Sequence, residues 1–208
     1  MKREVQIIID YVEGKIDIIE FRQLFRINDR LQKLLKKKIK PRYEAYRRYD
    51  YNMYNYLMQS YEFKKFNWDT VETRYTLHFV LKMWLDCFHI PYDNSYTRYS
   101  DDYNYILRIQ PLWLDISNDQ GLFDKILAER PKELSRTKQT EWGKAVLRKM
   151  FRYDKTYPRW VQDPEWPIVN GKPLVFSHQS KEKNGDERVY YYFYDPETGK
   201  ETVITQIY

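Results

Sequence analysis

The spacing of hydrophobic positions changes along this chain, from intervals of three and four residues to intervals of two. The first spacing places apolar side chains on one face of a helix. It predicts helices over residues 5–12, 18–27, 29–40, 43–61, 70–90, 103–109, 121–129 and 137–151. The alternating pattern that follows predicts strands over residues 174–183, 187–194 and 202–208.

These elements predict an α+β fold in which the mainly helical N-terminal three quarters, residues 1–155, pack on a small C-terminal antiparallel three-stranded β-meander. Residues 156–208 contain the meander and, before it, a Trp/Pro segment at residues 158–167. No Gly/Ser/Pro-rich linker divides the 208 residues. We therefore expect residues 1–208 to form a single domain.

Short polar residues and glycines mark the predicted helix ends. Gly14 is expected to end the first helix in a left-handed conformation. Asp17, with Glu20 three residues later, is expected to cap the second helix. The remaining caps are predicted at Asn28 or Asp29, at Asp69 and at the pair Asp101–Asp102.

The predicted meander has two turns that can be recognised from their composition, and its middle strand is aromatic. Asn184-Gly185 and the segment 195–200 have the composition of tight turns. Successive side chains alternate across a strand, so two sets are expected to face opposite ways: Val189, Tyr191 and Phe193 against Tyr190, Tyr192 and Tyr194. One face is expected to cover the helices. The other is expected either to lie under the Trp/Pro segment or to remain exposed as a contact surface.

The positive charge of the chain is local. The net charge is +6, yet Arg30 to Arg48 alone holds nine basic residues and one acidic residue. Three explanations remain open: a solvated helix end, an acidic protein partner, or nucleic acid. The candidate partner-binding residues are this run and two nearby tyrosines: Lys36, Lys37, Lys38, Lys40, Arg42, Arg47, Arg48, Tyr51 and Tyr54.

Tyrosine is unusually frequent, with 21 in the chain. A surplus of tyrosine is typical of interfaces, because the ring is large and has few rotamers. Biased codon usage explains the surplus equally well.

The residue patterns contain no catalytic signature. Ser177 and His178 adjoin on a predicted strand, so we expect them to point to opposite faces. His78 and His89, with Lys82 and Asp86 between them on one helix face, are about three turns apart, roughly 16 Å, which is too far for one metal ion. We therefore expect no enzymatic activity, no cofactor and no metal.

The cysteine count and the hydropathy indicate a cytosolic protein. Cys87 is the single cysteine, which excludes an internal disulfide. No apolar run approaches the roughly 18 residues that a membrane span needs. The charged start and short apolar stretch of residues 1–12 predict a helix rather than a signal peptide.

Both ends of the chain resemble a known class of proteins. The similarity lies in residues 11–16 (Tyr-Val-Glu-Gly-Lys-Ile), 20–21 (Glu-Phe), 28–29 (Asn-Asp), 158–167 (Pro-Arg-Trp-Val-Gln-Asp-Pro-Glu-Trp-Pro), 171–176 (Gly-Lys-Pro-Leu-Val-Phe) and the closing Tyr-rich hairpin. These segments look like bacterial immunity proteins that accompany polymorphic or contact-dependent toxins. The resemblance implies a small cytosolic protein that binds one toxin domain tightly and has no catalytic activity.

We therefore expect a stoichiometric protein inhibitor whose partner is a cognate toxin domain. The alternative is a regulatory or phage-encoded protein that binds nucleic acid through the basic, Tyr-rich segment 30–61.

Overall fold

The structure, a computed structural model, describes residues 2–37, 70–115, 121–182 and 187–208. Within them the helices are α1 (Arg3–Val12), α2 (Ile18–Ile27), α3 (Asp29–Leu35), α4 (Val71–Cys87), α5 (Arg98–Ile109), α6 (Leu122–Glu129) and α7 (Arg136–Met150). The strands are β1 (Ile168–Val169), β2 (Lys172–Pro173), β3 (Val175–Lys181), β4 (Arg188–Tyr194) and β5 (Glu201–Ile207). The predicted α+β fold, with an antiparallel sheet β3-β4-β5 at the C-terminal end, is confirmed.

The chain divides into two compact units, Met1–Tyr103 and Asn104–Tyr208, with the boundary inside α5. The single-domain organisation stays a prediction.

The first two helix boundaries follow the capping residues. The Asp17 carboxylate accepts a hydrogen bond from the Glu20 N–H at 2.8 Å and begins α2 as predicted. Gly14 adopts a φ of +72° after α1, so its N–H reaches the Tyr11 carbonyl and the next N–H, of Lys15, reaches the Asp10 carbonyl. This Schellman arrangement satisfies carbonyls that the end of α1 would leave without partners.

The later caps correct two predictions. The N-cap of helix α4 is Thr70, whose hydroxyl accepts from the Thr73 N–H; Asp69, where the cap was predicted, lies outside the described residues. Helix α5 begins at Arg98, so Asp101 and Asp102 lie inside it and do not cap it. A carboxylate early in a helix is stabilised by the macrodipole without being the cap, so composition alone did not separate the two positions.

The C-terminal end of α4 also differs from the prediction. The helix was predicted to continue to residue 90 but ends at Cys87, and Phe88 is exposed as the C-cap. His89 then takes a φ of +52°, and the Ile90 N–H reaches back to the Leu85 carbonyl. The helix therefore stops through a Schellman turn formed without glycine, ahead of the proline at 91 that was expected to end it.

The core of the first unit forms where α1, α2, α3 and α4 meet. All four helices contribute buried side chains to it, among them Tyr11, Phe21, Phe25, Leu31, Leu35, Leu77, Leu81 and Trp84. Burying one leucine or phenylalanine side chain stabilises a fold by about 1.5–3 kcal/mol. This core therefore holds the short helix α3, of seven residues, which would not persist by itself.

His78 lies inside this core, although the sequence pattern placed it on the polar face of α4. Its side chain is 3% exposed, and its Nε2 lies 2.8 Å from the carbonyl oxygen of Val12, the last residue of α1. Because a carbonyl only accepts, Nε2 donates. The rings of Tyr11, Tyr96 and Tyr99 pack around the imidazole edge to face. Burial lowers the pKa of His78 from 6.5 to about 4.

The second unit contains a close approach between α5 and α7. A Cβ on Gly143 would lie 2.5 Å from the Tyr105 hydroxyl oxygen and 2.8 Å from the Ile109 Cγ2. The Tyr105 hydroxyl donates to the Gln139 carbonyl at 2.9 Å, and the Arg130 guanidinium covers the same ring at 4.1 Å from its centroid. Glycine at 143 is therefore what lets the tyrosine hydroxyl reach the backbone of α7.

The sheet of the second unit buries one face, and the Trp/Pro segment lies on it. Val189, Tyr191 and Phe193 of β4 are buried, whereas Tyr190, Tyr192 and Tyr194 are half-exposed. The Trp160 ring lies 4.4 Å from that of Tyr191, and the buried Trp166 contacts Phe193.

Backbone contacts tie the Trp/Pro segment to this face. The Gln206 Oε1 accepts from the N–H groups of Val161 and Gln162, and the Trp166 indole donates to the Leu174 carbonyl at 2.8 Å. The predicted cover of the second aromatic face by the Trp/Pro segment is wrong, because the segment lies on the side of Tyr191 and Phe193 and leaves the other face half-exposed. The sequence could not predict which face of the sheet the Trp/Pro segment covers, because both faces of β4 are aromatic.

The turn at 195–200 forms as predicted, with the Asp195 carboxylate accepting from the Glu197 N–H and the Thr198 hydroxyl. The predicted Asn184-Gly185 turn and the predicted helix over residues 43–61 lie outside the described residues.

We expect the burial of His78 to make the free energy of unfolding depend on pH. Its folded pKa, about 4, lies below the unfolded value of 6.5, so the unfolded chain binds the proton more tightly. The contribution is fully present above pH 6.5 and is lost as the pH falls towards 4, by about 1–3 kcal/mol. Urea unfolding across this range, compared with His78→Gln, whose amide can still donate to Val12, measures the difference.

His178→Gln, the same substitution at an exposed position, is the matched control. Parallel curves for wild type and His78→Gln would contradict the assignment.

We expect Gly143→Ala to destabilise the second unit by about 1–3 kcal/mol, because the methyl group would overlap Tyr105 and Ile109. Helix propensity alone predicts the opposite sign, a gain of about 1 kcal/mol. Ala145→Gly, at an exposed position of the same helix, measures that propensity in place. A higher melting temperature for Gly143→Ala would contradict the close approach.

Candidate functional site

Basic side chains of α1 and α3 line a groove on the first unit. On α3, Leu31 and Leu35 face the core, and Arg30 and Lys33 share the opposite side because they are three positions apart. Lys37 directly follows the C-cap of this helix. The groove has a volume of about 580 Å³. Its lining, which we call the cationic groove, consists of Lys2, Arg3, Glu4, Arg30, Lys33, Leu34 and Lys37.

The charges of the cationic groove are unbalanced, with five basic side chains and one acidic one. All five basic residues are exposed. In the part of the chain that the structure describes, no carboxylate lies within ion-pair distance of any of the five. Ion pairs elsewhere in this unit include those of Lys15 with Asp10 and Glu13, and of Arg98 with Asp102. The groove therefore has a local positive potential that an anionic ligand would reduce.

The position of Lys2 and Arg3 adds to this potential. Lys2 is the N-cap of α1 and makes no side-chain capping hydrogen bond, and Arg3 is the first helical residue. The positive end of the helix macrodipole lies there, so a cation costs about 0.3–1 kcal/mol and an anion gains as much. These two side chains are placed where they weaken α1 and strengthen the attraction for an anion.

The structure places two of the nine predicted site residues. Lys36 is the C-cap of α3. Lys37 lines the cationic groove, and its Nζ lies 6.0 Å from the centroid of the Phe88 ring. The other seven lie outside the described residues: Lys38, Lys40, Arg42, Arg47, Arg48, Tyr51 and Tyr54.

Sequence reasoning missed Lys2 and Arg3 as members of the site. They are separated by more than 25 positions from the basic run, and only the packing of α1 against α3 brings them to it. The available signal was their position, since a basic pair directly before an apolar helix is unfavourable for that helix.

A second cavity of about 740 Å³ lies beside the end of α4. Burial lowers the pKa of Lys82, and it raises that of Tyr92 to about 12, helped by Asp86, whose carboxylate accepts from the Tyr92 hydroxyl at 3.2 Å. The cavity is lined by Phe79, Lys82, Met83, Asp86, Cys87, His89, Ile90, Pro91, Tyr92 and Asn94.

The four residues that the sequence analysis placed on one face of helix α4, His78, Lys82, Asp86 and His89, do not form one site, because His78 lies in the core. Among the residues that are described, no group of three or more His, Cys, Asp and Glu could hold a metal ion.

The geometry of Ser177 and His178 corrects another prediction. The pairing of β3 with β4 shifts between Phe176 and His178, and this irregularity brings the Ser177 hydroxyl to 3.2 Å from His178 Nδ1. The imidazole stacks on the Tyr192 ring at 4.4 Å. Strict alternation, on which opposite faces were predicted, does not hold across a bulge. The pair lies on the half-exposed side of the sheet.

Comparison of this chain with protein-family models, with curated proteins and with solved structures finds no match. In the described ranges, none of the helices is both long enough and apolar enough to cross a membrane.

We expect the cationic groove to bind a flexible polyanion, with labelled poly-L-glutamate as the probe. Lys33→Glu with Lys37→Glu should weaken binding about tenfold or more, and the remaining affinity should fall with added salt. The matched control is Lys144→Glu with Arg148→Glu, which makes the same charge change at the same spacing on the exposed side of α7. Equal losses in the two variants would mean that only net charge matters and would contradict a defined groove.

Proposed function

We propose that this protein is a stoichiometric inhibitor, an immunity protein that binds a cognate bacterial toxin domain in the cytoplasm and blocks it without chemistry of its own. The observation that carries the proposal is the cationic groove: five exposed basic side chains with no ion-pair partner in the described structure. An acidic surface on the partner would supply those missing partners.

The charge arrangement suits a protein partner that must be found quickly. Complementary potentials raise the rate of association by up to several orders of magnitude over a neutral pair. Arg3 and Arg30 can each hold one carboxylate in a bidentate pair, whereas Lys33 and Lys37 act as point charges. A folded acidic surface offers carboxylates at fixed positions, so it would lose less conformational entropy on binding than a flexible polyanion does.

The resemblance at the chain ends supports the same class of function in a different way. Tyr11 and Gly14, within the first similar segment, help to build the core and the end of α1. Trp160 and Trp166, within the similar segment 158–167, cover the buried face of the sheet. The resembling residues are thus scaffold residues, so the likeness concerns the framework that carries a binding surface.

Nucleic acid is the second candidate, because the same five cations could contact phosphates. The basic run continues from the cationic groove into residues 38–48, and tyrosines follow it in the sequence. Phosphate binding would show a steep linear fall of the logarithm of affinity with the logarithm of salt concentration.

The test is a binding measurement with the product of the gene immediately upstream, prepared as a catalytically inactive variant. We expect a one-to-one complex that resists nuclease treatment, and inhibition of the active form at equimolar ratio. Lys33→Glu with Lys37→Glu should raise the dissociation constant tenfold or more by charge reversal at two contacts. The variant with Lys144→Glu and Arg148→Glu should bind as wild type does.

Recovery of nucleic acid in place of that product, with release at high salt, would overturn the inhibitor proposal and favour the second candidate.

A further inference from the structure

One edge of the three-stranded sheet has no neighbouring strand among the described residues. The strands lie in the order β3-β4-β5, so β5 has a partner on one side only. Its antiparallel pairing with β4 is regular over the whole strand, from Glu201 opposite Tyr194 to Ile207 opposite Arg188. A strand at the edge of a sheet presents a row of unpaired N–H and C=O groups, which can pair with a strand of another chain.

The hydrogen bonds at the two ends of β5 show which of its backbone groups point away from β4. The Asp195 N–H donates to the Lys200 carbonyl, and the Tyr208 N–H donates to the Glu187 carbonyl. Backbone groups alternate in direction along a strand, so those of the even-numbered residues point to β4 and those of the odd-numbered residues point outward. The outward set is Glu201, Val203, Thr205 and Ile207.

Within the described residues, only the C-terminal end of this outward row is engaged. The Ile207 carbonyl accepts a hydrogen bond of 2.8 Å from the Gln162 side-chain amide. The outward backbone groups of Glu201, Val203 and Thr205 have no partner in the parts of the chain that the structure describes, and all three residues are exposed. The open part of the edge is therefore the segment 201–205.

The opposite edge of the sheet, on β3, is protected. Phe176 donates its N–H to the Arg152 carbonyl and accepts from the Asp154 N–H, so another part of the chain covers this edge. The pairing of β3 with β4 is also irregular after Phe176, and the strand ends in Lys181. Backbone cover, an irregular register and an edge lysine all prevent sheets from joining edge to edge. Strand β5 has an unbroken register and contains no lysine, proline or glycine.

We propose that β5 pairs with β5 of a second copy of this chain, antiparallel and centred on Val203, so that two three-stranded sheets become one sheet of six strands. In this register Val203 lies opposite the partner's Val203, and Glu201 lies opposite the partner's Thr205. Each of the three outward residues then exchanges both of its backbone hydrogen bonds with the residue opposite. The pairing uses the second unit alone and does not depend on the proposed function.

The register follows from the limits of the open segment. A shift towards the C-terminal end of β5 would pair Ile207, whose carbonyl Gln162 already engages. A shift towards the N-terminal end would pair Gly199, which lies in the turn before β5 with a φ of +69° and not in an extended conformation. The register centred on Val203 uses neither residue.

The side chains of β5 suit pairing with an identical strand. Residues 202–205 are Thr-Val-Ile-Thr, all of them β-branched, and such residues pack well in strands. The proposed register places Thr202 opposite the partner's Ile204 and Val203 opposite the partner's Val203, so β-branched side chains meet across the two-fold axis. Val203, which is 46% exposed, would be covered in this arrangement.

The charge of β5 also favours a second copy. Glu201 is the only charged residue of the strand. In the antiparallel register the two Glu201 carboxylates lie at opposite ends of the paired segment, roughly 14 Å apart along the strand at about 3.4 Å per residue. Like charges therefore do not face each other. A copy of the same chain is present wherever the protein is, so an edge that lacks the protection seen on β3 meets its own copy first.

The experiment is sedimentation equilibrium of the full chain at several protein concentrations, in which we expect a monomer–dimer equilibrium. Val203→Lys and Val203→Glu should each raise the dissociation constant of the dimer about tenfold or more, because each places like charges opposite each other at the two-fold axis. An equimolar mixture of the two variants should restore the dimer, since opposite charges then face each other. This rescue requires a register centred on Val203.

The matched control is Val169→Lys, which adds the same charge at a valine that is 44% exposed in another strand of the same unit. It should leave the equilibrium as in wild type, and circular dichroism of each variant checks that the sheet is folded.

A wild-type chain that is monomeric at every concentration overturns the proposal. A dimer that Val203→Lys does not weaken, or a mixture of the two Val203 variants that stays monomeric, does the same. If the chain is monomeric and the Val203 variants instead lose the upstream gene product, the edge belongs to an extended segment of that protein and the second copy is refuted.

Discussion

A buried tyrosine must place its hydroxyl group on a hydrogen-bond partner, and the packing of both units follows from this requirement. Tyr11 donates to the Arg74 carbonyl of α4, Tyr105 to the Gln139 carbonyl of α7, and Tyr191 to the Arg159 carbonyl of the Trp/Pro segment. A buried hydroxyl left without a partner costs about 1–3 kcal/mol. Each bond therefore fixes one element against another with a precision that apolar packing alone would not require. The His78–Val12 bond acts in the same way between α1 and α4.

The parts of the fold that could be predicted are those decided within a few residues. Asp17 and Asn28 cap helices because their side chains reach N–H groups two or three positions away. The strands β4 and β5 follow alternation and a short turn. His78 could not be placed, because its burial depends on a carbonyl 66 positions away in the sequence and on three tyrosines from other segments. The Ser177–His178 contact depends on a bulge in the pairing with β4, which the residues of β3 alone do not reveal.

The candidate site, too, could be predicted from the sequence only where the decisive residues lie close together in the chain. The density of basic residues from Arg30 onwards is visible in the sequence, whereas the addition of Lys2 and Arg3 requires knowing that α1 packs beside α3. The turn from Pro111 to Leu114 could not be predicted from the sequence, because Pro-Leu-Trp-Leu is as typical of a core segment as of a surface turn. Only the burial of Leu114 beside the full exposure of Leu112 separates the two.

Features that weaken a fold without compensation within it point to a role outside the fold. Most polar groups buried in this chain have partners, as the three tyrosines and Gln206 illustrate. Two features are exceptions. Lys2 and Arg3 are cations at the N-terminal end of α1, where the helix macrodipole is positive. Leu112 is fully exposed in a hydrogen-bonded turn. An anionic group would stabilise the first feature, and an apolar group that buries the leucine would stabilise the second.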